Sequence, residues 1–303
     1  MHRRQVLVIG AAAVAVAVGP RRALALDATP TAAALLTGEA LGLPELALTL
    51  TDDAITGPGS VPAGRYLVTV ANRSASYDAV QALLPPADLT VEEANARLVA
   101  MNGETSGYPE FAWIYSLPLA GGAEAQPGGS GQMVADLGPG RWLLTTIFGS
   151  VPRTTELNVT GEMPASLPEV KAVATVTALG TADGYDFALD GTIGSGPQVV
   201  RFVNKSDQPH FIGTLTTPAP LTDDQLMALV MLEGSGATPE PDSGLPSMDE
   251  IGEGPATGVI SPGATMWWIA DFAPGNYTLV CWMPDTDGTP HAMEGMIAQA
   301  VVG

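Results

Sequence analysis

The chain has 303 residues, 46% of them hydrophobic, enough for about two domains with sizeable cores. Its formal net charge of −20 argues against nucleic acid and anionic membrane surfaces as partners. The single cysteine excludes an internal disulfide, while 35 Gly, 26 Pro and scarce helical patterning favour turn-rich β-sandwiches.

The N-terminus reads as a targeting segment. Met1 to Arg4 is basic, Val6 to Gly19 is an uncharged apolar run, and Ala23-Leu-Ala25 fits a small-x-small cleavage site. The expectation is a signal peptide over 1–25 and an exported protein, periplasmic or extracellular. The apolar run is too short to span a membrane comfortably, and no later segment is apolar enough to do so. The pair Arg3-Arg4 fits twin-arginine export; an ordinary secretory signal with two adjacent arginines fits as well. Cleavage would remove four arginines and no acid, taking the charge from −20 to −24. That charge either keeps the protein soluble or steers a basic redox partner.

Residues 26–43 lack a strand pattern and read as a flexible lead-in. Alternation begins at Leu46, Leu48 and Leu50, and a second strand runs from Arg65 to Val70. The chain then repeats itself. Gly64, Asn72 and Ser74 return with the same spacing as Gly196, Asn204 and Ser206. Leu89-Thr90 and Leu221-Thr222, at that same offset, each open a helix, with Thr as N-cap and acids in the first turn. These helices should run to about Met101 and Leu232. Ala135-Asp-Leu-Gly-Pro-Gly returns as Ala270-Asp-Phe-Ala-Pro-Gly, at nearly the same offset. Two copies of one domain are expected, at 44–162 and 168–303, joined by the Pro-containing stretch Gly161 to Pro168. Strands in the second copy are expected at Val170–Leu179, Tyr185–Leu189, Gln198–Val203, Thr265–Ile269, Tyr277–Cys281 and Gly295–Val302. Ala82 to Gly131 and Phe211 to Val259 read as solvated excursions that hold the helices.

Candidate chemistry concentrates in the second copy. Beyond the targeting segment there are two histidines, His210 and His291, and the lone Cys281. Cys281 ends a strand, and His291 and Met296 follow in a loop broken by Pro284, Gly288 and Pro290. A thiol, two imidazoles and a thioether are the soft and borderline donors that suit copper, and a His₂Cys set with a weak axial Met is the blue-copper arrangement. In the first copy Asp78 stands opposite His210 and Thr146 opposite Cys281, and the stretch after Thr146 has no His, Cys or Met. The fold therefore does not need these residues in order to pack. Singly, each has a bland reading: Cys281 as a buried hydrophobe, each His as a hydrogen-bonded loop residue, Met296 as a gap-filler beside Met283 and Met293. Trp282 either lies on an electron path or packs on the opposite face of its strand.

The phrases Pro209-His210, Cys281-x9-His291 and His291-Ala-Met-Glu-Gly-Met296 resemble the cupredoxin family, which includes plastocyanin, azurin and the type 1 domain of copper nitrite reductase. One departure is Phe211, where many members place Asn or Ser. The resemblance implies an all-β chain of two tandem Greek-key sandwiches, each with a short helix-containing insertion, the first degenerate. It implies one type 1 copper held by His210, Cys281 and His291 with Met296 axial, one-electron transfer, and a redox protein as partner. Because a second, type 2 copper would need further histidines, a carrier rather than an enzyme is expected. Cu(I) buffering or delivery, and a metal-free extracellular scaffold, are the rival readings.

Overall fold

The computed structural model describes residues 35–101, 108–148, 151–181, 184–235, 238–240 and 243–303. The expected signal peptide lies outside these residues. Among the described residues no helix is long and apolar enough to cross a membrane.

The first half contains β1 (Glu45–Leu50), β2 (Ile55–Thr56), β3 (Ser60–Pro62), β4 (Gly64–Asn72) and β5 (Asp78–Leu83). After helices Val91–Met101 and Tyr108–Tyr115 come β6 (Leu119–Ala125), β7 (Ser130–Leu137), β8 (Gly140–Thr146) and β9 (Thr154–Thr160). The second half contains β10 (Ala174–Thr181), β11 (Gly184–Gly191), β12 (Gly196–Asn204) and β13 (Gly213–Thr217). Helix Asp223–Ser235 precedes β14 (Gly252–Glu253), β15 (Thr265–Phe272), β16 (Gly275–Val280) and β17 (Ile297–Val302).

Local chemistry accounts for many of these boundaries. Leu46, Leu48 and Leu50 are buried along β1 while Glu45 and Ala47 are exposed, so the strand shows one face to the core. Both long helices open on a reciprocal cap. The Thr90 hydroxyl accepts from the Glu93 amide at 3.1 Å and the Glu93 carboxylate accepts from the Thr90 amide at 2.9 Å. Thr222 and Gln225 repeat the arrangement, at 3.3 Å and 3.0 Å.

The pairings run in the same sense in each half. β1 lies parallel to β4 and β10 parallel to β12. β4 is antiparallel to β7 and β12 to β15. On the facing layer β5 pairs β6 and β8, and β8 pairs β9. β13 likewise pairs β14 and β16, and β16 pairs β17.

Three features depart from the sequence reading. First, the halves are not separate layers. β7 and β15 pair antiparallel, Met266 with Ala135 and Trp268 with Met133, so eight strands form one sheet through both halves. The seam is buried on both faces. Met133, Ala135, Met266 and Trp268 belong to the main core, while Leu43, Leu67, Val134, Val170 and Trp267 form a second cluster on the other side. Second, residues 35–43 are not a loose lead-in. A helical turn, Gly38–Leu41, precedes Leu43, which is buried at the seam, and the Leu36 amide donates to the Gln132 side chain at 2.9 Å. The joining stretch is pinned too. Arg65 pairs Asp136 at 2.6 Å, donates to the Pro168 carbonyl at 2.6 Å and lies 4.1 Å over the Trp267 ring. Third, β6 and β13 lie inside the two expected excursions, and both are largely buried. β13 pairs β16 directly, so the insertion proper begins only after Thr217.

Because the seam is buried on both faces, the halves cannot separate without exposing Trp267, Trp268 and Met133. A single calorimetric unfolding transition, with van 't Hoff and calorimetric enthalpies equal, is expected. Two resolved transitions would contradict the shared sheet as a structural unit.

Candidate metal centre

Cys281 follows the last residue of β16 and is fully buried. The loop after it turns back tightly. Pro284 bridges Pro290, the Asp285 amide donates to the Thr289 carbonyl at 2.7 Å, and Gly288 supplies a φ of 90° that other residues adopt at a cost. This return lays the His291 amide on the Met283 carbonyl at 2.9 Å and the Ala292 amide on the Cys281 carbonyl at 2.8 Å. A single 3₁₀ turn, His291–Glu294, ends at Gly295 with φ 106°, and the Met296 amide then donates to the His291 carbonyl at 2.9 Å. His210 comes from the other side, held by two backbone hydrogen bonds to Ile260 of 3.1 and 2.9 Å.

Three of the four expected ligands thus converge. Cys281 Sγ lies 3.5 Å from His210 Nδ1 and 3.7 Å from His291 Nδ1, and the two Nδ1 atoms are 3.1 Å apart. All three residues are fully buried. Met296 is fully buried too, within the same core cluster as Cys281 and Met283. Trp282 and Met293 instead pack in a separate cluster with Leu215, Val230, Val280 and Ala292, which bears out packing on the far face.

The hydrogen bonds on the far side of each ring fix its tautomer. Gln208 Nε2 donates to Asp285 Oδ1 at 2.6 Å, so Gln208 Oε1 faces His291 Nε2 at 3.0 Å and can only accept. His291 therefore carries its proton on Nε2. The Ser206 hydroxyl has two acceptors, Asn204 Oδ1 at 2.7 Å and the Gln208 carbonyl at 3.0 Å. It therefore accepts from His210 Nε2, 2.6 Å away. Both Nδ1 atoms are left unprotonated, and the Cys281 thiol, 3.5 and 3.7 Å away, is the one donor beside them. Tyr185 closes the site, its ring centroid 4.3 Å from that of His291 and 5.1 Å from that of His210, and its hydroxyl donates to Asp207 at 2.9 Å.

Burial sets the charge state. It pushes the His210 imidazole down to about 2, helped by His291, and the His291 imidazole down to about 4 against the upward pull of Asp285 and Asp207. Both rings are neutral at physiological pH. Burial also pushes the Cys281 thiol up to about 12, against the amides of Phe211 and Met283, which favour the thiolate. The triangle of donors fits a metal ion. A point equidistant from the three atoms lies about 2.0 Å from each, close to the usual metal–nitrogen bond. A cation there would be bound by two neutral imidazoles and would displace the thiol proton.

Sequence reasoning singled out His210, Cys281 and His291, which the structure brings together, but missed Ser206, Gln208, Tyr185 and Asp285, which orient and enclose them. Ser206 carried a signal, its recurrence with Ser74, but that repeat marks a turn. Asn72 and Asn204 each accept from the Ser two residues on, at 2.7 Å in both halves. Only in the second half does that hydroxyl meet a histidine.

The first half carries other residues at the corresponding positions. The β8–β9 and β16–β17 registers place Thr146 opposite Cys281 and Arg153 opposite Met296. Asp78 and Arg153 form an ion pair there. Asp78 also accepts from the amides of Ala79 at 2.8 Å and Phe148 at 3.1 Å. Asp78 is almost fully buried, and desolvation still raises its carboxyl above the usual range. A charge pair thus ties together elements that the other half would tie through a metal.

No family model matches the chain, and no curated protein matches it. Solved structures that resemble it include a variant of the McoA multicopper oxidase from Aquifex aeolicus, at 13% identity and TM-score 0.26, covering 88% of this chain and 68% of that one. A reduced auracyanin from Roseiflexus castenholzii is 21% identical, with TM-score 0.26, over 44% of this chain and 99% of that one. A copper nitrite reductase from Thermus scotoductus is 10% identical, with TM-score 0.23, over 86% and 61%. These neighbours are cupredoxin-fold proteins. Likenesses this weak say nothing of what the chain does. The expectation that it is a carrier and not an enzyme does not stand. Enzymes stand among these neighbours, and a shared fold does not separate carriers from catalysts.

Two outcomes follow from the buried groups. Each histidine has a depressed folded value, so its contribution is complete above the ordinary value of about 6.5 and is lost as pH falls toward the folded one. Denaturant unfolding of metal-free protein should lose about 1.4 kcal/mol per histidine per pH unit between pH 6 and pH 4.5. His291→Asn should roughly halve that slope, and an unchanged slope would show that His291 is not held neutral. In the first half, Asp78→Ala should cost about 3–5 kcal/mol by stranding Arg153, whereas Asp78→Leu with Arg153→Met should cost far less. Equal losses would mean that the pair is not the linchpin there.

Proposed function

We propose that the protein binds one copper ion, which His210, Cys281, His291 and Met296 would hold, and that it serves one-electron transfer. The observation that carries this reading is the pair of unprotonated ring nitrogens 3.1 Å apart in a buried site beside a thiol. Two lone pairs so placed repel, the single thiol proton can satisfy only one of them, and a cation would be bound by both. The sulfur and a thioether in the same cluster favour copper over harder metals. Copper bound there would supply an interconversion of Cu(II) and Cu(I). The chain's own part is to hold the donors in nearly one geometry. Ser206 and Gln208 fix the imidazoles, Tyr185 shields them, and the amides of Phe211 and Met283 favour the thiolate.

We further propose that the halves are tandem copies of one Greek-key sandwich, the first without a metal site. The matching sense of their strand pairings supports this. We also propose export directed by the N-terminal segment ending at Ala25, on the strength of Arg3, Arg4 and the apolar run. Asp285, Asp287 and Glu294 cluster on the loop that carries His291, a placement that suits a basic redox partner.

The test is to add Cu(II) to the purified full chain and record a visible spectrum. An intense thiolate-to-copper band, lost in Cys281→Ser, is the expected result. A colourless protein that still binds Cu(I) would move the function to copper buffering or delivery. Failure to bind either state would overturn the copper reading and leave a scaffold.

A further inference from the structure

The first half carries no copper ligand, yet it touches the backbone that does. Residues 257–261 run as an extended strap between the halves. One edge of the strap holds the ligand segment. The Thr257 amide donates to the Ile212 carbonyl at 2.9 Å, and Ile260 exchanges two hydrogen bonds with His210 at 2.9 and 3.1 Å. Asn204 Nδ2, at the foot of the same turn, donates to the Ile260 carbonyl at 3.1 Å. The other edge is stitched to the first half. Gly121 donates to the Val259 carbonyl at 3.0 Å and the Ser261 amide to the Leu119 carbonyl at 3.2 Å. The Ser261 hydroxyl donates to the Leu117 carbonyl and accepts from the Leu119 amide, both at 2.8 Å.

One side chain grips the middle of the strap. Gln81, on β5 of the first half, is fully buried. Its Oε1 accepts from the Val259 amide at 2.8 Å and its Nε2 donates to the Val259 carbonyl at 3.0 Å. A side-chain amide here does what a neighbouring strand would do, satisfying both backbone groups of one residue. The contact allows no slack. A Cβ on Gly258 would lie 2.0 Å from the Gly122 nitrogen and 2.6 Å from Gln81 Oε1. The residue after Val259 is Ile260, which bonds His210 on both sides.

We propose that Gln81 is a positioning residue for the metal centre. Through Val259 and Ile260 it fixes where His210 stands, and this is a role of the ligand-free first half. The proposal rests on the copper reading for its consequence, but its geometry can be tested without metal.

The experiment compares the full chain with Gln81→Leu and, as a control, Gln132→Leu. Gln132 makes a similar two-way clamp in the same half, on the backbone of Leu36 at 2.9 and 2.8 Å, away from the strap. Amide hydrogen exchange of metal-free protein is read first. Gln81→Leu should speed exchange at Val259, Ile260 and His210 at least tenfold, and Gln132→Leu should leave those amides unchanged. Copper-loaded protein is then challenged with a chelator. Gln81→Leu should release the ion at least tenfold faster than wild type, with Gln132→Leu close to wild type. Gln81→Glu, which keeps the acceptor for the Val259 amide, should fall between. Should Gln81→Leu not fold, Ser261→Ala should loosen the same amides in the same direction, with Ser261→Thr restoring them. Wild-type exchange at Ile260 and His210 in folded Gln81→Leu, or in Ser261→Ala where Gln81→Leu does not fold, would overturn the proposal. If wild-type protein takes up no copper, the copper reading fails, and the exchange data still decide the role of Gln81.

Discussion

Two imidazole nitrogens, each left without its proton by a hydrogen bond on the far side of its ring, face one another at 3.1 Å where water does not reach. That arrangement is unfavourable in itself, and much of the second half serves to maintain it. The Asn204–Ser206–Gln208 turn fixes both rings, Asp285 fixes Gln208, and the His291–Glu294 turn brings Met296 back beneath the loop. Buried polar groups are retained at such cost chiefly where something is to be bound.

The comparison of the two halves makes the same point. One set of strand pairings carries, at matching positions, either His210, Cys281 and Met296 or Asp78, Thr146 and Arg153. The ion pair of the first half closes its own end of the layer with charges already in the chain. The second half has no such charges at these positions, and its donors are neutral. Each half must join the strand that ends at the Asn turn to the hairpin of the facing layer, and each uses a different kind of bond.

The candidate ligands were legible in the sequence because their chemistry is rare there: one cysteine and two histidines after residue 25. The helix starts at Thr90 and Thr222 were legible because capping is local. β6 was not. Leu119-Ala-Gly-Gly-Ala has no β-branched residue, because a Cβ on Gly121, at φ 98°, would lie 2.6 Å from the Met266 sulfur and one on Gly122 would lie 2.9 Å from the Val80 carbonyl oxygen. β13 was hidden by its place between a ligand loop and a Pro-rich insertion. The shared sheet was invisible for another reason. Pairing of β7 with β15 joins strands from opposite halves of the chain, and nothing in either strand announces its partner. Gln208 and Gln81 are ordinary glutamines until the fold shows what they hold.

X-ray absorption at the copper edge of the loaded full chain reads the donor set itself. Copper held by these residues should show one short sulfur, at about 2.3 Å or less, and two nitrogen neighbours, with the short sulfur absent in Cys281→Ser. A coordination sphere of nitrogen and oxygen alone would contradict this assignment, because the ion would then lie somewhere other than between Cys281, His210 and His291.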